Sequence, residues 1–332
     1  MRIGLVGVGR IGAFHAATLK GLPAVDQVVV ADADPGRAEL VAKDLGLEFA
    51  PDVDTLLASR PDGFVIAAAT SAHAELIAAG VAAGIPTFCE KPVAIDLAET
   101  KRVVELVEKA GVPVHIGFQR RFDHGYQTAA AQVRSGELGF IHHIRANTND
   151  AFPPPAEYIP TSGGFFRDCT VHDFDIIRFV TGREVVSAYA TGANRGESFF
   201  GEYGDVDAAA ALLTLDDGTF VAVSGTRYNA AGHDVRMEVL GSLGSIAVGL
   251  DEHTALRSAE EGVTFPSGQP HATFMDRFRL AYAAELAAFT EVVAGAREVP
   301  CTVRDAYQAF RTADACELSR RENRVVSLDE IA

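Results

Sequence analysis

The sequence lacks several features that would place it in other classes of protein. Its 332 residues include no Trp, three Met and four Cys. The cysteines are widely scattered with no CxxC pair, at Cys89, Cys169, Cys301 and Cys316. They suggest reduced, structural thiols in a cytoplasmic protein. No run approaches the roughly 18 consecutive apolar residues of a membrane span, so we expect no transmembrane helix.

Positive charge is also scarce, with 29 Lys+Arg against 45 Asp+Glu and a formal net charge of −16. This balance argues against binding nucleic acid or an anionic membrane by bulk attraction. Polar or small residues interrupt the amino-terminal segment and no cleavage region follows, so we expect no signal peptide. We therefore expect a soluble, cytoplasmic protein of two domains, at about 150 residues per domain.

The first 120 residues alternate between short β-branched runs and Ala-rich helical patterns. The predicted strands are residues 2–6, 28–31, 63–67, 87–89 and 114–117, and the predicted helices lie near 11–19, 36–44, 72–83 and 97–110. This alternation requires right-handed crossovers, which predicts an α/β domain with a doubly wound parallel sheet over residues 1–120. The nearly continuous apolar character of the strands fits a sheet covered by helices on both faces.

After residue 120, predicted strands follow one another without intervening helices. They are residues 140–148, 185–192, 208–215, 219–226 and 235–248, with helices near 122–134, 170–181, 274–294 and 303–320. Asp217-Gly218 is a hairpin signal, and a second turn lies near 241–244. We therefore predict an α+β domain over residues 121–332 with a large, mostly antiparallel, open sheet. Residues 151–164 contain four Pro and are predicted to form a loop near the site.

The first strand and the first helix are joined by Gly7-Val8-Gly9-Arg10-Ile11-Gly12. In a GxGxxG loop the first glycine permits the tight turn, the second lets the backbone approach a pyrophosphate, and the third lets the helix lie close to the sheet. The start of the helix offers N–H groups and a partial positive charge to the phosphates. The loop therefore predicts a Rossmann dinucleotide-binding domain.

Asp32 ends the second predicted strand, 20 residues beyond Gly12. A carboxylate at that position accepts ribose hydroxyls and repels a 2′-phosphate, which favours NAD over NADP. His73 follows the next strand, and either a nicotinamide contact or a cap on the following helix would explain it. The predicted cofactor contacts are Gly7, Gly9, Arg10, Ile11, Gly12, Asp32, Thr70, His73, Glu90 and Lys91.

Two further segments carry candidate chemistry. Glu90-Lys91-Pro92 ends a strand at the carboxyl edge of the sheet, where Lys91 can reach a substrate hydroxyl. In the second segment, Asp168 and His172 lie four residues apart. A continuous helix or a helix begun by a Thr170–Asp173 capping box would both let the carboxylate reach the imidazole. An Asp-bound imidazole is suited to act as the general base for an alcohol proton. The plainer interpretation is a helix start with a core histidine and solvated acids.

These segments in this order resemble the Gfo/Idh/MocA family of NAD(P)-dependent sugar and polyol dehydrogenases, in its inositol 2-dehydrogenase-like branch. The resemblance spans essentially the whole chain. It rests on GVGRIGAFHA at the start, EKP at 90–92, GFQRRFD at 117–123, GGFFRDCTVHDFD at 163–175 and FMDRFRLAYAAELAAF at 274–289.

The resemblance implies a catalytic set of Lys91, Asp168 and His172, which would also contact the substrate. It further implies substrate contacts from Arg120, Asn147, Asp175, His233 and Tyr282. Three positions depart from the family pattern: His233 replaces a tyrosine, Arg145 a histidine and Phe274 a tryptophan. These changes lie in the polyol pocket and affect the choice of substrate more than the reaction class.

The predicted function is NAD-dependent oxidation of a cyclic polyol, with myo-inositol first and scyllo-inositol or an aldose as alternatives. A family dehydratase or isomerase that recycles bound NAD remains open. A non-catalytic NAD-binding sensor would explain the glycine loop but not the three catalytic candidates. A metal enzyme is disfavoured because adjacent His142 and His143 point to opposite faces of a strand. We expect a dimer or tetramer formed through the open sheet face, because strands such as 208–215 are apolar on both faces.

Overall fold

The computed structural model describes residues 1–331 and divides into two compact units. The first unit comprises Met1–Gln119 and Leu280–Gln308, and the second comprises Arg120–Arg279 together with the chain from Ala309 onward. Both changes of unit near the carboxyl end fall inside long helices. Within residues 1–331, no helix combines the length and apolar character needed to cross a membrane.

The first unit contains a six-stranded parallel sheet and its flanking helices. In chain order the elements are β1 (Arg2–Val6), α1 (Arg10–Gly21), β2 (Gln27–Ala31), α2 (Pro35–Leu45), β3 (Glu48–Phe49), α3 (Val53–Ala58), β4 (Gly63–Ile66), α4 (Thr70–Ala82), β5 (Thr87–Glu90), α5 (Leu97–Ala110) and β6 (Val114–Gly117). The strand order β3-β2-β1-β4-β5-β6 confirms the predicted Rossmann sheet. Its direction of growth reverses between β1 and β4, where such sheets bind ligands.

The prediction missed two elements of this unit, β3 and α3. β3 has two residues, both exposed, and α3 has six, so neither is long enough to show a hydrophobic period. The core of the unit includes the fully buried Leu5, Val30 and Phe88. Phe289 from the late segment is part of the same hydrophobic cluster. Leu286 and Val292 lie about one helical turn on either side of Phe289 and belong to the same cluster, so this segment packs against the first sheet.

The second unit is built around a seven-stranded sheet. Its elements are α6 (His124–Ser135), β7 (Ile141–Asn149), α7 (Ile159–Ser162), α8 (Phe165–Asp168), α9 (Val171–Thr181), β8 (Val185–Ala193), α10 (Phe199–Glu202), β9 (Ala208–Leu215), β10 (Phe220–Thr226), β11 (Asp234–Gly241), β12 (Ser245–Val248) and β13 (Val326–Ser327). The long helices α11 (Phe274–Val293) and α12 (Val303–Glu322) belong in part to each unit. The predicted strand 235–248 is divided into β11 and β12 by the turn near 241–244.

The sheet of the second unit is mixed, with the strand order β12-β11-β7-β10-β9-β8-β13. β7 and β10 are parallel, with Asn147 opposite Ser224, and the other neighbours are antiparallel. The prediction of a mostly antiparallel sheet is confirmed. The parallel pair was not predicted, because β7 and β10 are separated by four α-helices and two strands, and pairing at that distance leaves no local signal.

One face of this sheet is buried and the other is open. Val221 and Val223 on β10 are buried, whereas Phe220, the first residue of β10, is 63% exposed. On the neighbouring strand β9, Leu212 is 61% exposed. The exposed face therefore carries large apolar side chains.

Candidate functional site

The glycine loop between β1 and α1 is shaped by close backbone contacts. Gly7 has φ +88°, and a Cβ there would lie 2.5 Å from the backbone of Ala68 in the loop after β4. A Cβ on Gly12 would lie 1.7 Å from the carbonyl oxygen of Gly7. These two positions therefore require glycine, as the fingerprint predicts.

Gly9 has a different environment. Apart from Gly9 itself and its two chain neighbours, no residue has an atom within 4 Å of where its Cβ would be, and Gly9 is the N-cap of α1 without a side-chain cap. The exposed Arg10 and half-buried Ile11 begin the helix. The open space at Gly9 and the uncapped helix start fit the pyrophosphate of a dinucleotide.

Asp32 follows β2 beside this loop, and its carboxylate is fixed by two backbone donors. The amide N of Val8 donates to Oδ2 at 2.8 Å, and the amide N of Asp34 donates to Oδ1 at 2.9 Å. Each oxygen has a second lone-pair site that remains suited to a ribose hydroxyl. Arg37 is 3.8 Å from Oδ1, and Asp34 caps α2.

The Glu90-Lys91-Pro92 segment follows directly from β5, and the Lys91–Pro92 peptide bond is cis. Glu90 Oε1 lies 2.6 Å from Nε2 of the buried His15. Tyr282, in the late part of the same unit, lies against His15 with a ring-centroid distance of 5.7 Å. Neither His15 contact was predicted from the sequence.

His73 lies inside α4 and does not cap it. The N-cap of α4 is Ala69, which has no side-chain cap, and Thr70 is the first helical residue. His73 is 1% exposed, with Nδ1 2.6 Å from the carbonyl oxygen of Pro92 and Nε2 3.1 Å from that of Ala68. The capping interpretation is therefore wrong, and its contact with the cofactor stays a prediction.

In the second unit, the predicted catalytic segment forms two helices. α8 ends at Asp168, and α9 begins at Val171 after the N-cap Thr170, which makes no side-chain cap. The predicted helix start at Val171 is therefore confirmed, whereas the predicted Thr170–Asp173 capping box is wrong. Asp173 is fully buried and accepts hydrogen bonds from Arg120 at 2.7 Å and from Thr148. The Asp173 carboxylate therefore binds Arg120 and Thr148 in the interior and does not cap the helix.

The carboxylate of Asp168 has two partners in the second unit. Its Oδ1 accepts a hydrogen bond from the Tyr158 hydroxyl at 2.9 Å, and its Oδ2 accepts one from Arg227 at 2.7 Å. Tyr158 belongs to the stretch predicted as an irregular loop, which in fact contains a short 3-10 helix and α7. This stretch therefore reaches a predicted catalytic residue directly.

Arg227 joins two carboxylates. Besides Asp168 it donates to Asp150 at 2.9 Å, and its side chain is 5% exposed. Burial opposes its charge, but Asp168 and then Asp150 outweigh that effect and raise the pKa of Arg227. Burial likewise opposes ionisation of Asp150, but the hydrogen bond to His233 and the nearby Arg227 lower the pKa of Asp150. Both carboxylates thus form ion pairs with the same guanidinium.

The other predicted substrate residues lie in polar clusters of the second unit. Asn147 donates to Asp234 at 3.2 Å, and Nδ1 of the buried His233 is 3.5 Å from Asp150. Asp175 is buried and accepts two hydrogen bonds from Arg121, at 2.8 and 2.6 Å. The substrate contacts proposed for these residues and for Arg120 remain predictions, and the structure adds the buried ion pairs.

These pairs explain charges that the sequence could not assign. GFQRRFD supplies two adjacent arginines, and the predicted catalytic segment supplies two aspartates two residues apart, which form the pairs Arg120–Asp173 and Arg121–Asp175. In the part of the chain that the structure describes, no group of three or more His, Cys, Asp or Glu side chains is arranged to hold a metal ion.

The first unit has a Rossmann sheet with a glycine loop and a strand-end carboxylate, and the second has a large mixed sheet. These features define a two-domain oxidoreductase of the NAD-binding class. Comparison with known families supports this class. Residues 1–118 match the model described as an oxidoreductase family with an NAD-binding Rossmann fold, and residues 126–247 match the GFO/IDH/MocA C-terminal domain. The chain belongs to the Gfo/Idh/MocA oxidoreductase family, which confirms the resemblance seen in its motifs.

Relatives extend this similarity over nearly the whole chain. The myo-inositol dehydrogenase Hyg17 of Streptomyces leeuwenhoekii is 39% identical, covering 96% of this chain and 97% of the relative. The crystal structure of a probable dehydrogenase from Thermotoga maritima has a TM-score of 0.94 and 33% identity, with full coverage of both chains. That of a scyllo-inositol dehydrogenase from Lactobacillus casei, with bound NAD(H) and scyllo-inositol, has a TM-score of 0.87 and 27% identity, covering 99% of each.

The Arg227 cluster yields a stability prediction. Arg227→Met removes a buried cation and leaves two partly buried carboxylates without it, so the free energy of unfolding should fall by about 3–5 kcal/mol. The matched control is Arg145→Met, which breaks an exposed pair with Glu238 and should cost about 0–1 kcal/mol. Urea unfolding at neutral pH measures both, and equal losses in the two variants would contradict the cluster's role.

The same variant has a predicted effect on acid sensitivity. Since the folded-state pKa of Asp150 is lowered, its stabilisation is complete above the unfolded-state value of about 3.9 and is lost as pH falls towards the folded-state pKa. Below that pH the free energy of unfolding, measured by urea unfolding, should therefore fall less steeply with decreasing pH in Arg227→Met than in the parent protein.

Proposed function

We propose that this protein oxidises a secondary alcohol of a cyclic polyol with NAD, and that its substrate is myo-inositol, converted to 2-keto-myo-inositol (scyllo-inosose). The observation that carries the proposal is the glycine loop with Asp32 fixed beside it, in a chain that is 39% identical to a myo-inositol dehydrogenase along its length. We assign NAD binding to residues 1–120 and substrate binding and oligomerisation to residues 121–332.

The residues that would hold NAD are those of the first unit. The helix start at Gly9–Gly12 would bind the pyrophosphate, and Asp32 the adenosine ribose. Further proposed contacts come from Gly7, Arg10, Ile11, Thr70, His73, Glu90 and Lys91. When bound, NAD supplies a hydride acceptor at its nicotinamide ring.

Three side chains carry the proposed proton chemistry. His172, at the start of α9, removes the proton of the substrate hydroxyl as general base. Lys91 stabilises the alkoxide electrostatically as it develops. Asp168, which accepts a hydrogen bond from Arg227 at 2.7 Å, is the residue that we propose orients His172 and stabilises its imidazolium form. Arg120, Asn147, Asp175, His233 and Tyr282 are the proposed contacts to the remaining hydroxyls.

Loss of either proposed catalytic side chain should sharply lower turnover. Lys91→Ala and His172→Ala should each lower kcat by about 10²–10⁴-fold. In His172→Ala the Kd for NADH should stay within about threefold, because this change removes no proposed cofactor contact. Initial rates with myo-inositol and NADH fluorescence titration measure the two effects. Lys101→Ala, at an exposed position of α5, serves as control; near-normal kcat in either active-site variant would refute the assignment.

Asp32 should decide between the two nicotinamide cofactors. Without its charge, the 2′-phosphate of NADP is no longer repelled, so Asp32→Ala should reduce the NAD/NADP ratio of kcat/KM by at least ~tenfold. Asp44→Ala removes one exposed charge from α2 and should leave the ratio unchanged. An unaltered preference in Asp32→Ala would exclude the proposed ribose contact.

scyllo-Inositol is the second candidate substrate. It is favoured by the structural likeness to the Lactobacillus casei enzyme, whose structure contains scyllo-inositol. The departures from the family pattern at Arg145, His233 and Phe274 bear on this choice. Initial rates of NAD reduction across inositol isomers and common aldoses decide between the candidates, and absence of turnover across the panel would favour a non-catalytic NAD-binding role.

We also propose that the open face of the second sheet binds another copy of this chain, giving a dimer or tetramer. In support, Leu212 lies opposite Tyr189 on β8 and Ala222 on β10, and all three continue the exposed apolar surface that includes Phe220. An apolar face of this kind is typical of a subunit interface. A cytoplasmic location is supported by four buried, unbridged cysteines among the described residues.

Charge on this face should disrupt the assembly. Leu212→Glu would bury a carboxylate in the proposed interface, so light scattering should show a smaller species than the parent protein. Leu40→Glu changes a side chain of similar exposure, 58%, on α2 and should keep the parent mass. A monomeric parent at micromolar concentration would overturn the proposal.

A further inference from the structure

Two buried histidines bind the residues on either side of Lys91. His15, on α1, is fully buried and its Nε2 lies 2.6 Å from the Glu90 carboxylate. His73, on α4, is 1% exposed and its Nδ1 lies 2.6 Å from the carbonyl oxygen of Pro92. The residue before Lys91 is therefore held through its side chain, and the residue after it through its backbone.

Each histidine also connects this segment to the cofactor loops. His15 lies on α1, the helix that starts at the glycine loop. The second nitrogen of His73 lies 3.1 Å from the carbonyl oxygen of Ala68, whose backbone lies against Gly7. Since a carbonyl oxygen only accepts hydrogen bonds, the ring N–H of a neutral His73 serves one of the two carbonyls, and the doubly protonated ring serves both.

Packing alone does not account for these side chains. The ring of His15 lies edge-on to Phe88, at a centroid distance of 5.8 Å, in a part of the core that an apolar side chain would fill without desolvating an imidazole and a carboxylate. Directional hydrogen bonds, unlike apolar contacts, fix the orientation of the groups they join. The geometry therefore favours a positional role over a purely stabilising one.

We propose that His15 and His73 are positioning residues that fix Lys91 relative to the glycine loop. The part of this inference that concerns turnover rests on the proposed function; the part that concerns the placement of Lys91 does not. Displacement of a catalytic group by about 1 Å can cost on the order of 10²-fold in rate, so loss of either bridge should be expressed in kcat.

The test measures Lys91 directly. Reductive methylation of the full chain, with and without NADH, followed by peptide mass spectrometry, gives the labelling rate of each lysine. His73→Phe and His15→Phe keep a ring of similar size and remove the hydrogen bonds. Each should change the labelling rate of Lys91 by about threefold or more while that of Lys101 stays constant, because reactivity follows the local environment of the amine.

Steady-state kinetics complete the test. In both Phe variants kcat should fall by about 10–100-fold, and in His15→Phe, which removes no proposed cofactor contact, the KM for NAD should change less than about threefold. His73→Asn and His15→Gln retain a polar group and should recover part of both effects, and they also decide the matter if a Phe variant does not fold. His124→Phe, at an exposed position, is the control that should leave both readouts unchanged.

The outcomes separate the two proposals. A lower thermal midpoint with unchanged Lys91 labelling and unchanged kcat would show a structural role only and overturn this inference. Altered Lys91 labelling in a protein whose parent form oxidises no polyol would support the positioning role and refute the proposed function instead.

Discussion

The close approach of α1 to β1 at the glycine loop is the constraint on which the nucleotide half of the protein depends. A Cβ on Gly12 would meet the carbonyl oxygen of Gly7 at 1.7 Å, so only glycine permits this helix position. The same approach brings the amide of Val8 to Asp32 and places the uncapped start of α1 beside the open space at Gly9. The proposed phosphate and ribose contacts therefore depend on this one helix position.

The second unit depends on a different interaction, the pairing of buried charges. A buried carboxylate is costly unless a cation and hydrogen bonds compensate it. Three arginines from outside α8 and α9 meet the acids of that segment, in the pairs Arg120–Asp173, Arg121–Asp175 and Arg227–Asp168. The backbone around His172 is thus fixed by side chains distant in the sequence, which gives this segment a defined shape without a local cap.

Local sequence rules failed where such distant partners compete. Thr170 and Asp173 have the spacing of a capping box, but an interior guanidinium binds the aspartate more strongly than a backbone amide does. His73 stands near a helix start, yet its ring binds two carbonyl oxygens from different loops. The return of Leu280–Gln308 to the first unit likewise rests on the burial of Phe289 against residues at the other end of the chain.

The sequence by itself determined the parallel sheet, the glycine loop, Asp32 and the family. Each of these depends on the order of residues within a short segment, because a strand, a turn and a helix each impose local requirements on the residues that form them. Only the tertiary structure decided which charges are paired, which strand lies beside β7 and what holds Glu90 and Pro92 on either side of Lys91. Those contacts join residues far apart in the chain, and their energies depend on burial and distance, which no local pattern encodes.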